Sequence, residues 1–133
     1  MKAIIPTELE KRGQDKFGSG EFGAPRGDHT HHGIDYVCTN RAAILAPVDG
    51  MVTKIGYPYA DDLEFRYVEL TTIDGYHHRI FYIYPCVRDG EVIKDGQTIG
   101  YSQDLTERYP GITQHCHYEI KYQGKFINPE EVT

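Results

Sequence analysis

Tryptophan is absent from this 133-residue chain, methionine occurs twice and cysteine three times. Cys38, Cys86 and Cys116 are an odd number without dense spacing, so they do not read as a disulfide framework. A reduced compartment suits them better, with one bridge plus one free thiol as the alternative. Long apolar runs are missing too. The opening "MKAIIPTELEKRG" holds an apolar run of only three residues, too short for the core of a signal peptide. Nothing later approaches the roughly 20 apolar residues of a membrane helix. The expectation is synthesis in the cytoplasm without a signal peptide, and no membrane insertion. Blocks of one charge are lacking as well. The formal charge is -6, with Asp and Glu spread along the chain, which leaves no electrostatic footprint for nucleic acid or an anionic membrane. The last absence is helical periodicity: only "ELEKR" (8–12) and "SQDLTER" (102–108) offer a helical turn or two.

What is present has the size of one ordinary domain with one core. Residues 1–21, rich in glycine and charge, read as an irregular N-terminal arm leading into a domain over 22–133. Tyrosine reaches 11 and glycine 14, which suits short strands and tight turns. From residue 43 the chain consists of short apolar or alternating runs such as "FRYVELTTIDG" and "HCHYEIKYQG". Their punctuation is Asp-Gly at 49–50, 74–75, 89–90 and 95–96, and Gln-Gly at 123–124. Asp-Gly between alternating runs signals a hairpin, because glycine supplies the positive φ of primed turns. The reading is an all-β, compact antiparallel sheet domain with long connecting loops on one side.

Two stretches carry candidate chemistry. In "HTHHGIDY" (29–36), His31 and Asp35 bracket a short glycine-containing turn, and an imidazole and a carboxylate are both good zinc ligands. Alone, that motif is a weak signal and reads better as a polar loop with solvated histidines. In "QHCHYEIKY" (114–122), strand alternation sends Cys116, Tyr118, Ile120 and Tyr122 to one face and His115, His117 and Glu119 to the other. Surface histidines would explain that pair by itself. Together the stretches make two imidazoles and a carboxylate able to hold Zn2+, another imidazole beside them, and a coordination position left for water. Cys116 reads as a small buried hydrophobe and His29 and His32 as groove-flanking or solvated. His77 and His78 read as surface or edge-strand histidines. Tyr57, Tyr59, Tyr76 and Tyr109 are candidates to line a groove, with strand-edge packing as the plain alternative.

"RGDHTHHGIDY", then "ILAPVDGMVTKIG", "VIKDGQTIG", "HCHYEI" and "INP" resemble, in that order, the lysostaphin and LytM type of zinc peptidase domain, over about residues 22–129. The resemblance implies that His31, Asp35 and His117 bind zinc and that His115 is the nearby catalytic histidine. It implies peptide cross-links of bacterial peptidoglycan, or another peptide or glycan, as ligand. For a chain without an export address, the route to the cell wall would be a phage particle, a holin or other secretion machinery. Cleaving members carry a further histidine in a Y-x-H strand end, where this chain has Tyr82-Ile83-Tyr84; Tyr84 takes that place and would serve as an oxyanion donor. "FYIYP" and "YPGITQHCH" are similar to a secreted vertebrate chemotaxin branch of the fold that is regarded as lacking peptidase activity. The alternative function is therefore a non-catalytic zinc-binding recognition module.

Overall fold

The structure, a computed structural model, describes residues 3–6, 9–15, 18–26 and 29–131. Glu8 and the side chain of His29 lie outside the described residues. Short strands at Ala3–Ile4 (β1), Gln14–Asp15 (β2), Gly18–Ser19 (β3), Pro25–Arg26 (β4) and His29–Thr30 (β5) precede Gly33–Val37 (β6), Ala43–Leu45 (β7), Gly50–Gly56 (β8), Tyr67–Thr71 (β9) and His77–Phe81 (β10). Ile83–Pro85 (β11), Val92–Ile93 (β12), Thr98–Ser102 (β13), His115–Tyr122 (β14) and Lys125–Ile127 (β15) follow, with single 3-10 turns at Leu105–Glu107 and Pro129–Glu131.

The larger sheet has seven strands. β12, β8, β9, β10 and β14 lie side by side, and β14 then pairs with β6 along its first half and β15 along its second, all antiparallel. A second sheet of four strands runs β1-β7-β13-β11, antiparallel except that β1 runs parallel to β7. The core between them is aliphatic and aromatic: Ile34, Val68, Leu70, Ile80, Ile83, Tyr118 and Ile120 are fully buried. On β14 the alternation follows the sequence, with Cys116, Tyr118 and Ile120 in the core. His115, His117 and Glu119 therefore share the opposite face, as a period of two requires.

The turn pairs divide by role. Asp74-Gly75 closes the β9–β10 hairpin and Gln123-Gly124 the β14–β15 hairpin; in the latter both residues have positive φ, as a type I′ turn needs. Gly90 and Gly96 also have positive φ, but their turns carry the chain between the two sheets. Asp49-Gly50 is no hairpin turn, since Gly50 already belongs to β8.

Two local expectations are corrected. Of "ELEKR", Leu9 closes a turn onto the Pro6 carbonyl and residues 10–12 run along β6 rather than in a helix: Arg12 N donates to the Asp35 carbonyl (2.8 Å) and Val37 N to the Glu10 carbonyl (2.6 Å). Asp35 N in turn donates to the Gly20 carbonyl at 2.9 Å, so the arm is stitched to the edge of β6 at the residue of greatest interest. The second correction concerns His78. β10 lies inside the sheet between β9 and β14, and His78 is 4% exposed with Nδ1 2.7 Å from Tyr118 Oη. Half-buried His77 keeps its contact with Thr71 Oγ1 (2.9 Å).

Burial lowers the His78 pKa from 6.5 to about 4. Between those values the unfolded chain binds a proton that the folded chain refuses, so stability is fully present above pH 6.5 and is lost as pH falls toward 4. The shift corresponds to about 3 kcal/mol. Urea unfolding of the parent should thus show a midpoint that drops between pH 7 and 4.5, and His78→Gln should flatten that drop; an equally acid-sensitive variant would contradict the assignment.

Candidate metal centre

Asp35, His117 and Phe81 stand opposite one another across β6, β14 and β10. His31, four residues before Asp35, comes to the same face, and one ligand atom each from His31, Asp35 and His117 lie within 4.8 Å of one another. All three residues are buried. Gly33 makes the convergence possible as part of a strand rather than a turn. A Cβ there would collide with the Tyr118 carbonyl and come 2.9 Å from Glu119 Cβ, so only glycine lets β6 press this closely on β14.

The ring nitrogens are assigned by what lies behind each imidazole. A carbonyl can only accept, so His31 donates from Nδ1 to the Glu21 carbonyl (3.0 Å) and keeps its lone pair on Nε2. The Glu119 carboxylate likewise accepts from His117 Nε2 (2.8 Å), leaving the lone pair on Nδ1. Those two lone-pair nitrogens face each other at 2.9 Å, and Asp35 Oδ1 lies 2.9 Å from His117 Nδ1 and 3.2 Å from His31 Nε2. Three acceptors this close repel unless a proton or a cation stands among them. Their spacing approaches the ~3.3 Å edge of a tetrahedron with zinc bonds of about 2.05 Å. The donor set therefore fits zinc, with each histidine fixed from behind by an acceptor in the way that metal-bound imidazoles are.

Burial works against charge on His117, but the hydrogen bonds to Asp35 and Glu119 outweigh it and raise its pKa to about 9. For Asp35, burial pushes the pKa upward, yet hydrogen bonds with His117 and His31 and the charge of His115 hold the carboxyl well below the usual range. The second Asp35 oxygen, Oδ2, accepts from Arg12 Nη1 at 2.9 Å. Arg12 also donates from Nε to Asp15 (3.1 Å), and Asp15 Oδ2 accepts from the Thr113 amide (3.0 Å). This arginine and aspartate from the arm thereby tie Asp35 to the loop that leads into His115. Nothing in the arm's irregular, glycine-rich sequence signals that role.

His115 stands off the three acceptors. It donates from Nδ1 to the Thr113 carbonyl (2.7 Å), which leaves Nε2 as a lone-pair nitrogen 3.4 Å from Asp35 Oδ2. Burial lowers its pKa, so the ring is neutral near pH 7. His31, Asp35, His115 and His117 line one open cavity of about 560 Å3, walled by Tyr59, Tyr82 and Tyr109.

A profile of peptidase family M23 matches residues 29–129. The chain belongs to peptidase family M23. It is similar to Leukocyte cell-derived chemotaxin-2 of Mus musculus, 32% identical over 110 residues that cover 83% of this chain and 72% of that protein. It is also similar to Peptidoglycan DD-endopeptidase ShyC of Vibrio cholerae, 34% identical over 103 residues, 77% of this chain but 22% of that protein. The fold matches lysostaphin from Staphylococcus simulans with a TM-score of 0.69 at 18% identity, over 92% of this chain and 52% of that one.

In this M23 domain the expected tyrosine is displaced by two residues. Tyr84 does not line the cavity; it lies on β11 with its ring under the Arg41 guanidinium (4.7 Å). Tyr82 lines it instead, its ring edge-on to His115 at 5.7 Å. The reason is a bulge. Tyr82 N (2.8 Å) and Ile83 N (3.2 Å) both donate to the Arg66 carbonyl, and Tyr82 has φ 69, a left-handed value that breaks the alternation from β10. Phe81 and Tyr82 consequently both meet site histidines, while Ile83 enters the core. Of the other tyrosines, Tyr59 and Tyr109 line the cavity; Tyr57 takes a hydrogen bond from Arg66 and Tyr76 stacks on Tyr122. His32 stacks on Phe126 at 3.9 Å, and Cys116 is fully buried.

Glu119 fixes the lone pair of His117, so Glu119→Ala should lower zinc affinity about 10–100-fold, and Glu119→Gln, which keeps an acceptor, should lower it less. Competition against a chromophoric chelator measures both; parent-like affinity in Glu119→Ala would contradict the assignment.

Proposed function

We propose that this chain is a zinc-dependent endopeptidase domain acting on peptide cross-links of bacterial peptidoglycan. The observation that carries the reading is the geometry of His115: a neutral imidazole whose lone-pair Nε2 looks into the same cavity as three converging metal-ligand atoms. His31, Asp35 and His117 would hold the zinc, which when bound would supply a Lewis acid able to polarise the scissile carbonyl and acidify water.

The chain's own residues do the rest. Arg12 occupies the outer oxygen of Asp35, so that carboxylate is held in one orientation with Oδ1 toward the histidines. His115 Nε2 takes a proton from the attacking water and returns it to the leaving amine as the C–N bond breaks, a task suited to a base that is neutral near pH 7. The peptidoglycan assignment draws on the named activity of the Vibrio cholerae relative and on the M23 profile.

A second reading, a non-catalytic zinc module for a peptide or glycan, is favoured by one observation. The residue facing His115 across the cavity is a phenol, Tyr82, and not a second imidazole. A phenol with an ordinary pKa of about 10 is a poor base near neutrality, so proton handling falls to His115 alone.

Peptidoglycan sacculi incubated with the purified protein separate the readings. The peptidase reading predicts release of new amino termini that stops on chelation and returns with zinc, and a loss of at least about 10²-fold in His115→Ala with zinc content unchanged. No metal-dependent release by the parent would refute it.

A further inference from the structure

Behind Tyr82 the cavity wall contains two more phenols and an arginine in single file. Arg108 Nε donates to Tyr109 Oη (3.2 Å), Tyr109 Oη to Tyr59 Oη (3.0 Å), and Tyr59 Oη to Tyr82 Oη (3.2 Å). The far end sets the direction. A guanidinium has donors only, so the Tyr109 oxygen must accept there, and a hydroxyl that accepts becomes a better donor to the next. Arg108 reinforces the polarity, its guanidinium carbon standing 3.8 Å over the Tyr59 ring, where a cation draws charge from the phenol. Asp61 (3.4 Å) and Asp62 (3.5 Å) hold Arg108 in place. Each phenol has one proton. Those of Tyr109 and Tyr59 are spent inside the file, and Tyr82, whose oxygen accepts from Tyr59, has its own proton left to give elsewhere.

The place where it can give is fixed by the backbone. The bulge at Tyr82 turns its ring to the His115 side, and the Tyr82 carbonyl accepts from Gln103 N at 2.8 Å. Gln103, 1% exposed, also accepts from Arg66 N (2.9 Å) and donates to the Glu64 carbonyl (2.7 Å), locking the corner that presents the phenol. We propose that Arg108, Tyr109 and Tyr59 form a polarised relay that aims the Tyr82 hydroxyl proton into the cavity, where it donates to the oxyanion developing on the scissile carbonyl. This rests on the peptidase reading. Tyr82 is then a catalytic residue, and Tyr59, Tyr109 and Arg108 are positioning residues acting through it. No proton is transferred; the phenol gives a hydrogen bond that strengthens as charge grows on the carbonyl oxygen.

Three measurements test the relay. In a neutron structure of the metal-free protein exchanged into heavy water, the Tyr59 deuterium should lie between the Tyr59 and Tyr82 oxygens and the Tyr82 deuterium should point into the cavity. A Tyr82 deuterium on the line to Tyr59 overturns the proposal whether or not the protein cleaves anything. In the zinc-loaded protein, Tyr82→Phe should lower kcat about 10²-fold with KM unchanged. It should weaken calorimetric binding of a phosphinate peptide, a mimic of the tetrahedral oxyanion, by a similar factor. Tyr59→Phe should cost several-fold in both readouts, and adding it to Tyr82→Phe should cost nothing more. Independent, additive losses overturn the relay; Tyr84→Phe is the control that changes neither readout. If the parent neither cleaves sacculi nor binds the phosphinate, the peptidase reading fails, and the deuterium positions still decide the relay's direction.

Discussion

Two acceptors behind the histidines, the Glu21 carbonyl and the Glu119 carboxylate, govern what this cleft can hold. Each takes the only proton of a neutral imidazole, so the nitrogens turned toward Asp35 present lone pairs at 2.9 Å from each other. A cleft built from three acceptors is electrostatically unstable when empty of positive charge. The raised pKa of His117, about 9, reflects the same demand, because its hydrogen bonds to Asp35 and Glu119 favour positive charge on the ring against the effect of burial. The same Coulombic demand explains why Arg12, a buried guanidinium, is drawn from the arm to the outer oxygen of Asp35.

The fold serves that constraint through strand register. Because Asp35, His117 and Phe81 share one row across three strands, a shift of one residue in β14 would turn both histidines into the core and Cys116 and Tyr118 into the cleft. Register is held by fully buried Ile34, Ile80, Tyr118 and Ile120 on the other face, and by the close approach at Gly33. The arm adds a further restraint at the free edge of β6, where unpaired backbone would otherwise be open to another strand. Core, arm and site thus depend on one alignment of β6 against β14.

Much of this was legible in the residues. Alternation in "HCHYEI" separates the core face from the site face, and the spacing of His31 and Asp35 around Gly33 anticipates their convergence. What escaped is whatever depends on non-local contacts. Arg12 lies in a stretch without periodicity, and its partners Asp35 and Asp15 are joined by tertiary hydrogen bonds alone. Tyr82 replaces Tyr84 because a left-handed residue after β10 shifts the alternation by one, and a bulge at a non-glycine residue leaves no mark in composition. His78 looked like an edge histidine because its strand's two neighbours, β9 and β14, are supplied by distant parts of the chain.

The chain therefore combines a His31, Asp35 and His117 donor set that fits a metal ion with a tyrosine wall where a second imidazole is expected, and the metal site is the claim on which the rest stands. Anomalous diffraction at the zinc edge, on crystals of protein purified without added metal, tests it most directly. The prediction is one zinc per chain with His31, Asp35 and His117 as its protein ligands and His115 unbound. An anomalous peak elsewhere, none at all, or His115 replacing one of the three would contradict it.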